Sequence, residues 1–170
     1  MKRLCIAAAV SVLALAGCSS QAAPSSSPTP ATSSASPSPS TSSSFSFGQT
    51  LPPVGFVSVT TGQPTPFKPA YTGGKGRTFY VQFTVKNDSL NTYKTNGDFY
   101  DSTSANGVEC SVEIDEDQGV KGTSTVPIPK GKSATWKSGY SCDAPKGAEL
   151  VMSVNVISGK DPFVVTGTLP

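Results

Sequence analysis

The chain contains no histidine. That removes the usual general base, the commonest metal ligand and the usual pH switch, so neither a metal, a cofactor nor a catalytic role is expected. Charge is also scarce, at 14% of residues. The net charge of +2 is accounted for by Lys2 and Arg3, which leaves the rest of the chain formally neutral. A nucleic-acid-binding domain should show a basic face, and attachment to anionic lipid needs a polybasic cluster. Neither is present, and nucleic acid is excluded as a partner. No apolar run is long enough to cross a bilayer: Leu4 to Ala16 spans about 13 residues, whereas a transmembrane helix needs about 20.

That run follows Lys2-Arg3 and has the length of a secretory h-region. It ends in Leu15-Ala16-Gly17-Cys18, which resembles the bacterial lipobox. Small Ala16 and Gly17 let a peptidase approach the backbone. Cys18 supplies the sulfur for a thioether to diacylglycerol and becomes the first mature residue. Two acyl chains (palmitate and its kin), at about 0.8 kcal/mol per buried methylene, anchor stably where one is marginal. The resemblance implies a lipoprotein held by Cys18 on the extracytoplasmic face of the cell membrane. The competing reading is an ordinary secretion signal with an incidental cysteine. Residues 1–17 are then the signal peptide, and Cys5 is lost with it.

Residues 18–48 are assigned as the lipidated cysteine and a linker. Ser19 to Ser44 holds only Ser, Thr, Pro and Ala apart from Gln21. Such a segment cannot bury enough apolar area to offset the entropy of ordering. Its Ser-Pro and Thr-Pro steps favour extended conformations. Fully extended it reaches roughly 80 Å, and as a coil about 30 Å. It reads as a disordered stalk, either plain or O-glycosylated.

Residues 49–170 are assigned as one folded domain. No stretch repeats every 3.6 residues, but several alternate with period two. Phe79, Val81, Phe83 and Val85 share one face, and Asn87-Asp88 follows as a turn. Val108, Cys110, Val112 and Ile114 share another, with Glu109, Ser111, Glu113 and Asp115 expected outward. Leu150, Met152, Val154 and Val156 form a third, and Ala134, Trp136, Ser138, Tyr140 and Cys142 a fourth. Val54–Thr60 and Pro162–Thr168 read as further strands. The expected fold is all-β, a sandwich with little or no helix. Cys110 and Cys142 both fall on the apolar parity of their strands in an exported domain, and they are expected to form a disulfide.

Gly76 to Asn87 (GRTFYVQFTVKN), Pro129-Lys130-Gly131-Lys132 and Pro145-Lys146-Gly147-Ala148 together resemble a known pattern. It is that of the immunoglobulin-like domains of unknown function in many Gram-positive secreted lipoproteins, related in fold to the secreted immunogenic antigen of mycobacteria. The resemblance implies an immunoglobulin-like β-sandwich and carries no catalytic residue. It departs from antibody domains, where a core Trp sits on an early strand between distant cysteines. Here Trp136 lies just before Cys142, so the disulfide is not the usual inter-sheet one.

Several groups suggest sites. Glu113, Asp115, Glu116 and Asp117 invite a calcium reading, but the spacing departs from an EF-hand. The same cluster could supply a carboxylate pair for a hydrolase, with Asp115 and Asp117 on one strand face at about 6–7 Å. An acidic strand end entering a turn explains these residues equally well. Ser133 beside Lys132 lacks a nucleophile context and reads as a strand residue. Asn87-Asp88-Ser89 matches a glycosylation sequon and reads as a turn. Tyr71, Tyr93, Phe99 and Tyr100 fall among small polar residues, a composition suited to recognising sugar or protein. Of these, Tyr93, Phe99 and Tyr100 are the candidate ligand contacts. The alternative is that they fold back to plug the sandwich. The function expected is a non-catalytic binding or structural module at the cell envelope, with an envelope protein or glycan as partner.

Overall fold

A computed structural model describes residues 44–71 and 73–170. The expected signal peptide, the expected lipidation site Cys18 and the expected linker up to residue 43 lie outside the described residues. Ten strands form two sheets. The first sheet runs β1 (Ser44–Ser46), β10 (Phe163–Thr168), β9 (Glu149–Asn155), β5 (Tyr100–Ala105), β6 (Val108–Glu109). The second runs β2 (Val57–Thr61), β4 (Arg77–Asn87), β8 (Ser133–Cys142), β7 (Ser111–Glu113), and the short β3 (Thr65–Pro66) also pairs with β4. All pairings are antiparallel except β1 with β10. Their inner faces share one apolar core.

The antiparallel pair β4–β8 is the centre of the second sheet. It runs in register from Arg77 opposite Cys142 to Lys86 opposite Ser133. Phe79, Val81, Phe83 and Val85 are buried inward, as alternation requires. Phe83 sits opposite Trp136, and both rings pack on Phe99 at centroid distances of 5.2 and 4.9 Å. Ser133 is the first strand residue of β8, paired with Lys86.

β4 stops at Asn87 because its side chain replaces the ladder. The buried Asn87 Nδ2 donates to the carbonyls of Asn91 and Ile128, both at 2.8 Å, and its Oδ1 accepts from Ser89. The sequon is thus a turn whose amide is buried and occupied. Pro129–Lys132 then turns the chain into β8, with Lys132 N–H donating to Pro129 O and Gly131 at φ 71°. A β-carbon at that φ would be strained. Pro145–Ala148 closes a similar turn into β9.

Three features differ from the sequence reading. The fold takes in β1 and the buried Phe47, residues counted within the linker. Phe45 packs edge-on to Phe163 at 5.5 Å, and that contact draws the segment onto β10. β5 lies where a loop was expected, because its sequence YDSTSA lacks apolar alternation. One kinked helical turn, Thr95–Asp98, precedes it.

The third difference concerns which face is covered. The chain leaves the first sheet after Glu109 and joins the second at Ser111, with Cys110 as the step. Cys110 is buried, and Ser111 and Val112 that follow it are both exposed. Register nevertheless keeps parity: Val112 pairs beside the inward Tyr140, and Glu113, opposite Gly139, stays on the outer face as alternation expects. Val108, Val112 and Ile114 are exposed, Val112 at 64%, while Glu113 is 2% exposed and Asp115 is buried with it. Cys110 is bonded to Cys142, with Cα atoms 4.5 Å apart. Ser111 pairs with Ser141 on the next rung, so the disulfide ties neighbouring strands of one sheet at the crossing point.

Candidate functional site

The acidic cluster is divided by this covering. Glu113 lies on the outer face of the second sheet, opposite Gly139, and is buried beneath the loop before β4, which it holds. Its Oε2 accepts from Gly73 N–H at 3.0 Å and its Oε1 from Gly74 N–H at 2.7 Å. Gly74 has to be glycine here, since a β-carbon would lie 2.6 Å from Ser141 Cβ. Asp115 Oδ2 accepts from Ala70 N–H at 3.0 Å and Gln118 Nε2 at 2.9 Å, and Oδ1 accepts from Gln118 N–H at 3.1 Å. The Ala70 amide is the main reason its carboxyl lies below the ordinary range, with Gln118 adding to it.

Asp115 caps a 3-10 turn, Glu116–Gln118, and Asp117 is exposed within that turn. The two aspartates therefore do not share a strand face, which corrects the geometry expected of a hydrolase pair. A catalytic acid also needs a raised pKa, and Asp115 moves the other way. The donors around Glu113 and Asp115 are N–H groups, which orient carboxylate oxygens away from a cation. Among the described residues no three acidic or thiol groups converge as a metal site.

The candidate aromatic loop is also divided. Tyr93 is buried, bridges to Ile128 through both backbone bonds, and donates its hydroxyl to the carbonyl of Val156. Burial, and then the charge of Asp98, raise its pKa. Phe99 is buried between Phe83 and Trp136. Of the two readings of these rings, Tyr93 and Phe99 follow the one in which they fold back into the sandwich, which corrects their place as candidate ligand contacts. Tyr100 is 55% exposed, and Tyr71 stands in solvent.

Tyr100 borders a feature the sequence did not reveal. A cleft of about 130 Å³ opens between β5 and β8, lined by Tyr100, Asp101, Val112, Thr123, Ser138 and Tyr140. β6 pairs only with Ser104 and Ala105, so the earlier half of β5 has no strand beside it there. Asp101 is half-buried at this edge and accepts from Thr123 Oγ1 at 3.3 Å. Burial pushes its carboxyl up to about 6, against the smaller opposing effects of Thr123 and Ser138. The Ser138 hydroxyl approaches the carboxylate without reaching good hydrogen-bond geometry, and Tyr140 OH is buried with no partner. Thr103 Oγ1 and Trp136 Nε1 nearby on the same inner faces are likewise unpaired. A visible trace was the inward Trp136-x-Ser138-x-Tyr140 stripe, whose residues all carry polar atoms.

No protein-family model matches the chain, and no curated protein matches it. Solved structures do resemble it. The ycdA protein of Bacillus subtilis, provisionally assigned as a lipoprotein, superposes with a TM-score of 0.53 at 17% identity. The match covers 73% of this chain but only 38% of that one, so this chain spans well under half of ycdA. The yjhA protein of the same organism gives 0.51 at 12% identity, covering 71% and 97%. MPT63, a secreted protein of Mycobacterium tuberculosis, gives 0.48 at 16% identity, covering 74% and 96%. At these identities the likeness concerns architecture alone: the chain is an all-β, immunoglobulin-like sandwich.

Proposed function

We propose that this protein is a lipid-anchored extracytoplasmic module that binds or supports another envelope component and performs no chemistry of its own. The observation that carries the reading is Leu15-Ala16-Gly17-Cys18 closing an uncharged apolar run, with a Ser/Thr/Pro stalk behind it. The Cys110–Cys142 bond supports it, since such bonds persist in oxidising compartments. The buried carboxylates support the non-catalytic half: Glu113 and Asp115 are occupied in holding backbone amides. The partner proposed is an envelope protein or glycan, and the anchor would place the domain at the outer face of the cell membrane.

Metabolic labelling with a clickable fatty acid tests the anchor. The wild-type chain should be labelled and sediment with membranes, and Cys18→Ala should be unlabelled and released. Labelling that survives Cys18→Ala, or a wild-type chain that stays unlabelled, rejects the anchor at Cys18.

A further inference from the structure

We propose that the cleft between β5 and β8 binds a primary alkylammonium group, with the cation on the Asp101 carboxylate and its stem against Tyr100 and Val112. This gives the binding role above a ligand class, and it rests on that reading only for its biological setting.

The cleft presents acceptors without a matching cation. Among the described residues Asp101 has no ion-pair partner, and the one ion pair seen joins Lys86 to Asp88. Lys137, on β8, is committed to the other face: its Nζ lies 4.6 Å from the Tyr80 ring centre and donates to Gln118 O. An ionised carboxylate is acceptor-only, whereas an ammonium offers three donors and no acceptor. Asp101, the Ser138 Oγ beside it and the unpartnered Tyr140 OH can take those donors together. Tyr140 is 2% exposed, so the missing partner of its hydroxyl is a cost that a ligand removes.

The walls set the rest of the ligand. Tyr100 and Val112 are both exposed at the mouth, where methylenes gain apolar contact and an aromatic face favours a cation. A volume of about 130 Å³ admits an ammonium on a slim stem. A neutral alcohol would fit as well but would leave the carboxylate without its counter-charge. The desolvation that raises the Asp101 pKa is the energetic counterpart of that missing cation.

The test uses the complete chain bearing Cys18→Ala, so that failure here leaves the lipid-labelling result untouched. Butylammonium is titrated by amide NMR at pH 7, with n-butanol as neutral analogue and tetramethylammonium as a cation without N–H donors. Butylammonium should shift the amides of residues 100–103, 122–123 and 138–140 with a dissociation constant on the order of 1 mM. Both comparators should bind at least about tenfold more weakly, and Asp101→Asn should cost about the same factor. Tyr140→Phe keeps the ring and should weaken binding severalfold, which serves if Asp101→Asn fails to fold. Nα-acetyl-lysine methylamide binding more tightly than butylammonium assigns a peptide-borne amine, and the reverse a free one; either result supports the site. Equal binding of n-butanol, unchanged affinity in both variants, shifts elsewhere, or no shifts at all (a cleft holding only water) would overturn it.

Discussion

Replacing Glu113 by glutamine isolates the role of a buried carboxylate at near-constant volume. In the native structure its two oxygens accept from Gly73 and Gly74 at 3.0 and 2.7 Å. The amide keeps one acceptor oxygen and turns an NH₂ toward the other N–H. One charge-assisted bond becomes neutral, and the other becomes a donor facing a donor. Hydrogen bonds to charged groups contribute about 1.5–3 kcal/mol, and an unsatisfied buried donor costs about 1–3 kcal/mol. The expected loss in Glu113→Gln is about 2–4 kcal/mol. With a urea m-value of about 1.5 kcal/mol/M, the midpoint should fall by about 1.3–2.7 M. Urea unfolding followed by Trp136 fluorescence measures this, and amide exchange at Gly73 and Gly74 locates it. A midpoint change below about 0.3 M, with exchange unchanged at both glycines, would refute the idea that Glu113 clasps this loop.

Asp101 and Asp115 should shape acid stability in opposite senses. The folded-state pKa of Asp101 is raised from 3.8 to about 6, so the folded form holds its proton more tightly; this contribution is complete below pH 3.8 and is lost as pH rises through about 6. Allowing for solvent at this half-buried site it amounts to about 1–2 kcal/mol, and Asp101→Asn should remove that fall from the pH profile of thermal unfolding. Asp115 is lowered, so its contribution is present above the ordinary aspartate pKa and disappears as pH falls through the folded value; Asp115→Asn should flatten the profile on the acid side. Reducing Cys110–Cys142, or replacing both by serine, opens a loop of 32 residues in sequence separation and should cost about 3–4 kcal/mol, read as a lower denaturation midpoint; two alkylatable thiols in the untreated domain would contradict the bond. Tyr93→Phe removes the donor to Val156 O and should cost about 1 kcal/mol in chemical denaturation, whereas a tyrosine held at the surface for ligand contact would show no loss.

Alternation alone placed β4, β8 and β9 close to their bounds, because each strand has one face in the core and the apolar residues recur at period two. The same argument failed for β5, whose inward residues Asp101, Thr103 and Ala105 are polar or small. At Glu113 alternation gave the face but not the burial, because the loop carrying Ala70, Gly73 and Gly74 covers the outer face there.

The lipobox-like ending at Leu15–Cys18, the Ser/Thr/Pro composition after it and the neutral charge are properties of local residue types, and the sequence carried those readings without any fold. Which acids are buried, which tyrosines are core, and that Asp101, Ser138 and Tyr140 face one cleft were decided only by tertiary structure. The reason is that each depends on which strands lie opposite one another across the sandwich. Strand pairing is a contest among distant segments, settled by burial of the whole core, and no short window of sequence contains both competitors.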